Sequence, residues 1–235
     1  MITKKEQKTI KSLGIKKNRK DLSRFVVEGE KTVHAFLDAG HKPLAIYGVH
    51  PHTSPAFTAI EPQDMRRISH LKNPSNVLAV FPILLPQARP NKGRIVVLDN
   101  VSDPGNLGTI IRLCHWFGIA DIVCSPNSVD CYNPKVVQAS MGSLAAVDCH
   151  YLDLPSFIDA TPLPVYGTFL SGVSINQIDV PKDAILIFGN ESQGISSQVE
   201  NTIQHKITIP RGAVDGPESL NVATAAAIVL GSFIR

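Results

Sequence analysis

The sequence lacks the cysteine and histidine patterns that mark metal-binding and disulfide-rich proteins. Its four cysteines form no C-x-x-C pair, and no cluster of histidine and cysteine has zinc-ligand spacing. We therefore expect reduced thiols, as in a cytoplasmic protein, and no bound metal. The cysteines are Cys114, Cys124, Cys131 and Cys149.

Long hydrophobic segments are also missing. The residues after Met1 contain no apolar core of the kind found in signal peptides. The longest apolar stretch, residues 222–234, is shorter than the roughly 20 residues that cross a bilayer, so we interpret it as a buried helix and expect no membrane partner. Charged residues make up only 18% of the chain and hydrophobic residues 43%, a composition that argues against global disorder and predicts packed cores.

Positive charge is concentrated at the start of the chain. Residues 1–24 contain nine lysines and arginines but only two acidic residues, whereas the net charge of the whole chain is +3. The remainder is therefore mildly acidic. A basic end favours a polyanionic partner, although a solvated basic helix explains the same pattern equally well.

The first third of the chain has the pattern of a small α/β domain. We expect helices at 4–13, 31–39 and 62–71, and strands at 24–27, 42–49 and 76–81. Three prolines and a glycine then interrupt regular structure within residues 82–93. We place a domain boundary there.

From Arg94 onwards, short apolar runs alternate with helical segments. This alternation is typical of an α/β domain with a largely parallel sheet, in which strands are buried on both faces. The expected strands are 95–98, 121–124, 165–170, 184–188 and 206–209. The expected helices are 106–117, 134–139, 196–204 and a final helix that begins near Asn221.

Three strand-to-turn segments in this second region place polar residues where α/β sheets usually build their sites. They are residues 97–112, 186–194 and 207–230. The chain contains no G-x-G-x-x-G dinucleotide motif, no phosphate-binding P-loop and no G-x-S-x-G nucleophile elbow. Each segment taken alone leaves a structural and a functional explanation open.

In each segment, one residue has both a structural and a functional explanation. Arg112 is either an exposed residue of a capped helix or a cation held at a polar site. Glu191 is either solvated in a turn or able to orient an arginine through a bidentate pair. Ser219 is a natural N-cap of the final helix, and capping is the favoured explanation when its segment is considered alone.

Taken together and in this order, the three segments resemble the signature motifs of the SpoU/TrmH family of the SPOUT superfamily. The matching residues are Asn100, Asp103–Gly108 and Arg112 for the first motif, Phe188–Glu191 and Gly194 for the second, and Ile209, Pro210 and Ser219–Val222 for the third. Residues 10–33 are similar to the N-terminal extension common in that family, an RNA-binding domain that resembles ribosomal protein L30e.

The resemblance implies a fold and a domain organisation. A small L30e-like α/β domain that binds the RNA substrate would occupy residues 1–81, followed by a proline-rich linker at 82–93. Residues 94–235 would form the SPOUT methyltransferase domain, an α/β fold with a parallel sheet and a deep trefoil knot. The protein would act as a homodimer, in which dimerisation completes the site.

The resemblance also implies the activity, which is methyl transfer from S-adenosyl-L-methionine to a ribose 2′-hydroxyl of structured RNA. Ribosomal RNA is favoured over transfer RNA. The cofactor would contact Thr168, Phe169, Leu170, Gly189, Ile209, Ser219 and Leu220. One departure from the family pattern is a longer loop between Ile209 and Ser219, which carries Asp215 and Glu218.

By the same resemblance, the catalytic residues would be Arg112, Asn106, Glu191, Ser219 and Asn221. Family precedent assigns activation of the 2′-hydroxyl to Arg112. Because a guanidinium stays protonated near neutral pH, we expect Arg112 to stabilise the developing alkoxide as a cation, while the proton leaves to a phosphate or water. The RNA phosphates would be bound by Lys16, Lys17, Arg19 and Arg24.

Two other classes of protein fit parts of the pattern. One is a catalytically silent RNA-binding scaffold with the same fold, which is disfavoured because all five expected catalytic residues are present. The other is an unrelated Rossmann-type enzyme that acts on a small molecule. Binding of S-adenosyl-L-methionine separates the methyltransferase from the scaffold, and a screen of nucleotides and small substrates would expose the Rossmann-type enzyme.

Overall fold

The computed structural model describes residues 2–49, 57–86, 88–212 and 217–233. They fall into two compact units. The first consists of the chain up to Leu85 together with 130–145, and the second consists of 86–129 and the chain from Ala146 onwards. The sequence had placed 130–145 with the second region, so its membership of the first unit is a feature that local patterns did not reveal.

The regular elements of the described residues alternate along most of the chain. The helices are α1 (Lys4–Ser12), α2 (Lys16–Leu22), α3 (Glu30–Asp38), α4 (Pro62–Ile68), α5 (Pro104–Trp116), α6 (Pro134–Ala139), α7 (Leu154–Asp159), α8 (Ser197–Glu200) and α9 (Val222–Phe233). The strands are β1 (Arg24–Glu28), β2 (Ala45–Gly48), β3 (Thr58–Ala59), β4 (Val77–Pro82), β5 (Arg94–Leu98), β6 (Asp121–Cys124), β7 (Asp148–Tyr151), β8 (Val165–Ser174), β9 (Ala184–Phe188) and β10 (His205–Thr208).

The first unit is built on a four-stranded sheet of order β1-β4-β2-β3. Strand β4 pairs antiparallel with β1 on one side and with β2 on the other, and β3 adds to β2 in parallel. Aromatic rings form one part of its core, where Phe25 lies within 6.0 Å of both Phe36 and Phe81, measured between ring centroids. Tyr132, from the segment that joins this unit later in the chain, places its ring centroid 4.5 Å from that of Phe25.

Arg19 is part of this core and is not exposed. Only 2% of its surface is accessible, and its Nε and Nη2 donate to one carboxylate oxygen of Asp130 at 3.0 and 2.6 Å. Its Nη1 donates to the carbonyl of Leu13 at 2.8 Å. Because these bonds occupy the guanidinium, the prediction that Arg19 binds RNA phosphates is wrong. The other three predicted phosphate ligands, Lys16, Lys17 and Arg24, are exposed.

The second unit is built on a six-stranded sheet of order β10-β8-β9-β5-β6-β7, in which every neighbouring pair is parallel. The prediction of an α/β fold with a parallel sheet is therefore confirmed. The central strands β5 and β9 are almost entirely buried, because helices cover both faces of such a sheet. Their apolar side chains form a shared core that includes Ile95, Val97, Ile185 and Ile187.

Several elements differ from the sequence-based expectations. Helix α2 was not predicted, since its sequence is rich in polar residues. The β7–α7 pair was also missed, although Leu154, Phe157 and Ile158 have the i, i+3, i+4 spacing of an amphipathic helix. Strand β8 continues to Ser174, beyond the expected end at Leu170, because Val173 and Ser174 pair with β10 again after a break in the register. The helix expected at 196–204 is only the single turn α8.

Two expectations about the chemistry of the chain can be compared with the described residues. None of their helices has the length and hydrophobicity needed to cross a bilayer. Within the same ranges, none of the four cysteines forms a disulfide. Burial raises the pKa of the Cys114 thiol, so this thiol stays protonated near neutral pH.

Replacing Arg19 tests the assignment of residues 130–145 to the first unit. We expect Arg19→Ala to lower the free energy of unfolding by about 3 kcal/mol, because it leaves the carboxylate of Asp130 and the Leu13 carbonyl without their charged donor. Urea denaturation measures the change, with Lys20→Ala, at an exposed neighbouring position, as the control. Equal and small effects of both substitutions would contradict the buried ion pair.

Candidate active site

The polar segments singled out in the sequence follow the carboxyl ends of three strands of the second unit, the central strands β5 and β9 and the edge strand β10. Asp99 and Asn100 follow β5, the loop of residues 189–194 follows β9, and Ile209 follows β10. Parallel α/β sheets bind ligands at this edge, because the loops there converge from several strands. The fold thus brings together parts of the chain that are more than 100 residues apart.

The loop after β9 is closed on itself by backbone contacts. The amide N–H of Asn190 donates to the carbonyl of Gly194 at 2.9 Å, and the reverse bond has the same length. A Cβ at Gly189 would lie 2.2 Å from backbone atoms of Gly194 and Ile195, and Gly194 itself has φ +72°. Glycine is therefore required at both positions for the loop to close.

This loop is fixed to the end of β5 by two hydrogen bonds. Asn190 donates through Nδ2 to the carbonyl of Asn100 at 2.8 Å, and the backbone N–H of Ser196 donates to Asp99 Oδ2 at 2.7 Å. Asn100 adopts φ 57°, a conformation that asparagine tolerates better than most residues. Asp99 is only 2% exposed and was missed by the sequence analysis, although a carboxylate directly after an apolar strand is a usable signal.

A chain of side-chain hydrogen bonds links the three segments. Asn221 Oδ1 accepts from the backbone N–H groups of Ala223 and Thr224 at 2.9 and 3.2 Å, in the first turn of α9. Asn221 Nδ2 then donates to Asn106 Oδ1 at 2.8 Å, and Asn106 Nδ2 donates to Glu191 Oε1 at 2.9 Å. Because Asn221 turns its oxygen to the helix N–H groups, its Nδ2 points to Asn106. Asn106 therefore turns its own Nδ2 towards the carboxylate.

The Glu191 carboxylate also accepts hydrogen bonds from the start of α5. The backbone N–H of Asp103 donates to Oε1 at 3.3 Å, and that of Ser102 donates to Oε2 at 3.5 Å. Burial raises the pKa of Glu191, but the hydrogen bonds from Asn106 and from these backbone groups lower it by more. The net pKa lies below the ordinary value of 4.5, so Glu191 is ionised near neutral pH.

The structure of one chain bears on two alternatives that the sequence left open. In the described residues, the carboxylate of Glu191 is bonded to Asn106 and backbone N–H groups and not to an arginine. Ser219 does not cap the final helix, because α9 begins at Val222 and Asn221, the residue directly before it, provides the capping oxygen. Ser219 is exposed and faces a cavity instead.

Arg112 lies apart from the other four expected catalytic residues. It is exposed on α5, six residues beyond Asn106, a spacing that places it about 9 Å farther along the helix and about 120° around it. It does not line the cavity described below. Within the described part of one chain, Asn106, Glu191 and Asn221 are joined by hydrogen bonds and Arg112 is separate from them.

A cavity of about 820 Å³ opens beside the Glu191 carboxylate. Its walls come from the end of β8, the loop after β9, the segment after β10 and the start of α9. All seven residues expected to contact the cofactor line it: Thr168, Phe169, Leu170, Gly189, Ile209, Ser219 and Leu220. Glu218 also lines it, whereas Asp215 of the long loop lies outside the described residues. The volume is within the range typical of small-molecule and cofactor sites.

The chain matches a known protein family. Residues 93–231, more than half of the chain, match the SpoU rRNA Methylase family, and the chain belongs to that family. This membership confirms the resemblance drawn from the three motifs, and with it the prediction of an RNA methyltransferase that uses S-adenosyl-L-methionine.

Several relatives are similar over nearly the whole chain. The 23S rRNA (guanosine(2553)-2′-O)-methyltransferase RlmP of Bacillus subtilis is 29% identical over 94% of this chain and 92% of its own length. A solved structure assigned to the TrmH family of RNA methyltransferases, from Porphyromonas gingivalis, is 35% identical with a TM-score of 0.88, covering 99% of this chain and 98% of the other. An rRNA methyltransferase from Sinorhizobium meliloti, solved with bound S-adenosyl-L-methionine, is 28% identical with a TM-score of 0.86, covering 99% and 95%.

The pKa of Glu191 leads to a test by acid unfolding. Because its folded-state pKa is depressed, its ionised form stabilises the fold above pH about 4.5, and this contribution is lost as the pH falls through the lower folded value. We therefore expect the stability difference between the wild type and Glu191→Gln to shrink as the pH is lowered from 6 towards 3. Thermal unfolding at several pH values measures it, with the exposed Glu61→Gln as the control. A difference that stays constant with pH would contradict the assignment.

Proposed function

We propose that this protein transfers the methyl group of S-adenosyl-L-methionine to a ribose 2′-hydroxyl of ribosomal RNA. The observation that carries the proposal is the hydrogen-bond chain from α9 through Asn221 and Asn106 to Glu191, which borders a cofactor-sized cavity. The name of the B. subtilis relative, matched over nearly its whole length, supports both the ribose oxygen as acceptor and ribosomal RNA as substrate.

The cavity wall suits S-adenosyl-L-methionine. Apolar side chains such as Phe169, Leu170 and Leu220 offer surface for an adenine ring, and the exposed Ser219 offers a hydroxyl. Gly189 brings the backbone close to the cavity. Bound there, S-adenosyl-L-methionine supplies an electrophilic methyl group on a positively charged sulfur.

The chain's own residues then act on the ribose. Arg112 stays cationic and stabilises the negative charge that develops on the 2′-oxygen, while the proton leaves to a phosphate or water. Asn106, Glu191 and Asn221 hold the first turns of α5 and α9 in place. Because the Glu191 carboxylate is bonded to Asn106, its role is to orient this amide.

The position of Arg112 supports the proposal of a homodimer. An arginine that acts on a ribose next to the cavity must reach it, and within one chain Arg112 is exposed and does not line the cavity. Trp116, one helical turn beyond it on the same side of α5, is 83% exposed, and Ile228 of α9 is 37% exposed. We assign this face of α5 and α9 to contact with a second copy, so that Arg112 of one copy serves the cavity of the other.

The finer features of the fold belong to the same proposal. The second unit, with its parallel sheet, is assigned the deep trefoil knot of SPOUT proteins. Residues 94–235 are assigned to the methyltransferase domain, of which 130–145 lie in the first compact unit. Residues 1–81 are assigned to an L30e-like RNA-binding domain, followed by the linker 82–93. The exposed basic residues Lys16, Lys17 and Arg24 support this role for the front of the chain.

Mixing two inactive variants tests the shared site. Arg112→Ala lowers methyl incorporation into unmodified ribosomal RNA about 100-fold or more while leaving cofactor binding intact, and Arg112→Lys rescues poorly because the planar fork is lost. Leu170→Arg blocks the cavity from an exposed position and is also inactive. Co-refolding the Arg112→Ala and Leu170→Arg chains restores roughly a quarter of the activity, because half of randomly formed dimers are mixed and each has one intact site.

Three outcomes would count against the proposal. Near-normal activity of Arg112→Ala removes Arg112 from catalysis. If co-refolding restores no activity although mass spectrometry detects mixed dimers, Arg112 and the cavity of one chain form the same site. Binding of S-adenosyl-L-methionine by the wild type without methylation of any ribosomal RNA favours a silent scaffold.

Charge removal on α2 tests RNA binding by the first unit. We expect the Lys16→Gln, Lys17→Gln double variant to bind ribosomal RNA fragments more weakly and to lower the slope of log K against log salt concentration by roughly 1 to 2, since each phosphate contact releases counterions. Filter binding at several salt concentrations measures the slope. The exposed pair Lys92→Gln, Lys182→Gln is the matched control, and identical slopes for both double variants would remove α2 from the interface.

A further inference from the structure

A third carboxylate in the cavity wall belongs to none of the three family motifs. Glu200 is the last residue of the single-turn helix α8 and lines the cavity together with Phe169 and Ile207. It lies outside the hydrogen-bond chain that ends at Glu191. A carboxylate in a ligand-binding wall selects for a group that donates hydrogen bonds or carries positive charge.

Lys206 holds Glu200 in place. Its Nζ lies 2.5 Å from Glu200 Oε1 and 4.8 Å from the centroid of the Phe169 ring. The lysine thereby sets Glu200 beside Phe169, an aromatic residue of the cavity wall. The side chains of Lys206 and Glu200 are 50% and 38% exposed, and ion pairs of this kind contribute little to stability. Stability alone therefore gives no reason for a carboxylate at this position.

The ion pair also decides which kind of group Glu200 attracts. Because the lysine already neutralises the carboxylate, its attraction for the cationic end of a ligand is weakened. The lone pairs that Lys206 does not use still accept hydrogen bonds from uncharged hydroxyls. Acidic side chains recognise ribose hydroxyls in this way in dinucleotide-binding α/β domains.

The geometry points to Glu200 as the residue that accepts hydrogen bonds from the vicinal 2′- and 3′-hydroxyls of an adenosine ligand, with Lys206 as its positioning residue. The ligand is S-adenosyl-L-methionine, so the inference rests on the proposed function. We assign Phe169, next to this pair, to the adenosine end of the cavity, and Glu191, another residue of its wall, to the end where the methyl group reacts. Glu200 makes the site selective for ribose over deoxyribose.

Ligand binding without turnover tests the assignment. Isothermal titration calorimetry compares S-adenosylhomocysteine with its 2′-deoxy and 3′-deoxy forms, on the wild type and on Glu200→Gln. We expect each deoxy form to bind the wild type about tenfold more weakly, and Glu200→Gln to weaken S-adenosylhomocysteine by a similar factor. The losses are not additive, because the substitution and the missing hydroxyl remove the same hydrogen bonds. The exposed Asp159→Asn, with the same change of charge, leaves all affinities unchanged.

Other results overturn the inference. Wild-type protein that binds the ribose and deoxy ligands equally well contradicts it without any variant, so the test does not depend on Glu200→Gln folding. If the losses of affinity from the substitution and from the deoxy ligands are additive, the hydroxyls bind elsewhere in the cavity. Methylthioadenosine keeps the diol and lacks the amino-acid group. If Glu200→Gln weakens binding of S-adenosylhomocysteine but not of methylthioadenosine, Glu200 contacts the ammonium group of the ligand and not its ribose. Failure of the wild type to bind S-adenosylhomocysteine at all overturns the proposed function as well.

Discussion

The site depends on one directional chain of hydrogen bonds. The backbone N–H groups at the start of α9 fix the amide of Asn221, which fixes the amide of Asn106, which in turn donates to Glu191. A side-chain amide has one donating and one accepting end, so reversing any member would oppose two donors or two acceptors. The ionised Glu191 ends the chain as an acceptor. This chain joins loops from three distant parts of the sequence, and the bonds of Asn190 and Ser196 to the end of β5 reinforce it.

Family membership and the geometry explain different parts of the function. The match over residues 93–231 establishes the class of enzyme, whereas the geometry shows which residues act as a group. Glu191 and the two asparagines form a support that holds the cavity wall and the first turn of α5. Arg112 extends from the same helix but lies on its exposed side. The proposal that a second copy completes the site accounts for both observations.

Local patterns predicted the elements that depend on local physics. The buried strands β5 and β9, the parallel sheet and the turn glycines were all predicted, because apolar runs and glycine positions are properties of neighbouring residues. Partners far apart in sequence were not predictable in this way. Arg19 belonged to a run of basic residues and looked exposed, yet it is paired with Asp130, 111 positions away. Ser219 looked like a helix cap, but asparagine caps helices as well as serine does, and Asn221 has that position. Only the bond from Asn221 to Asn106, 115 positions away, has no local signal.

The most direct test of the account asks where the methyl group goes. Purified protein is incubated with S-adenosyl-L-methionine carrying a trideuterated methyl group and with unmodified ribosomal RNA, which is then digested to nucleosides for mass spectrometry. The account predicts a single labelled nucleoside whose label stays with the ribose when the base is released by fragmentation. A label that leaves with the base would contradict methylation of the 2′-oxygen, and so would the absence of any labelled nucleoside from assembled and unassembled ribosomal RNA alike.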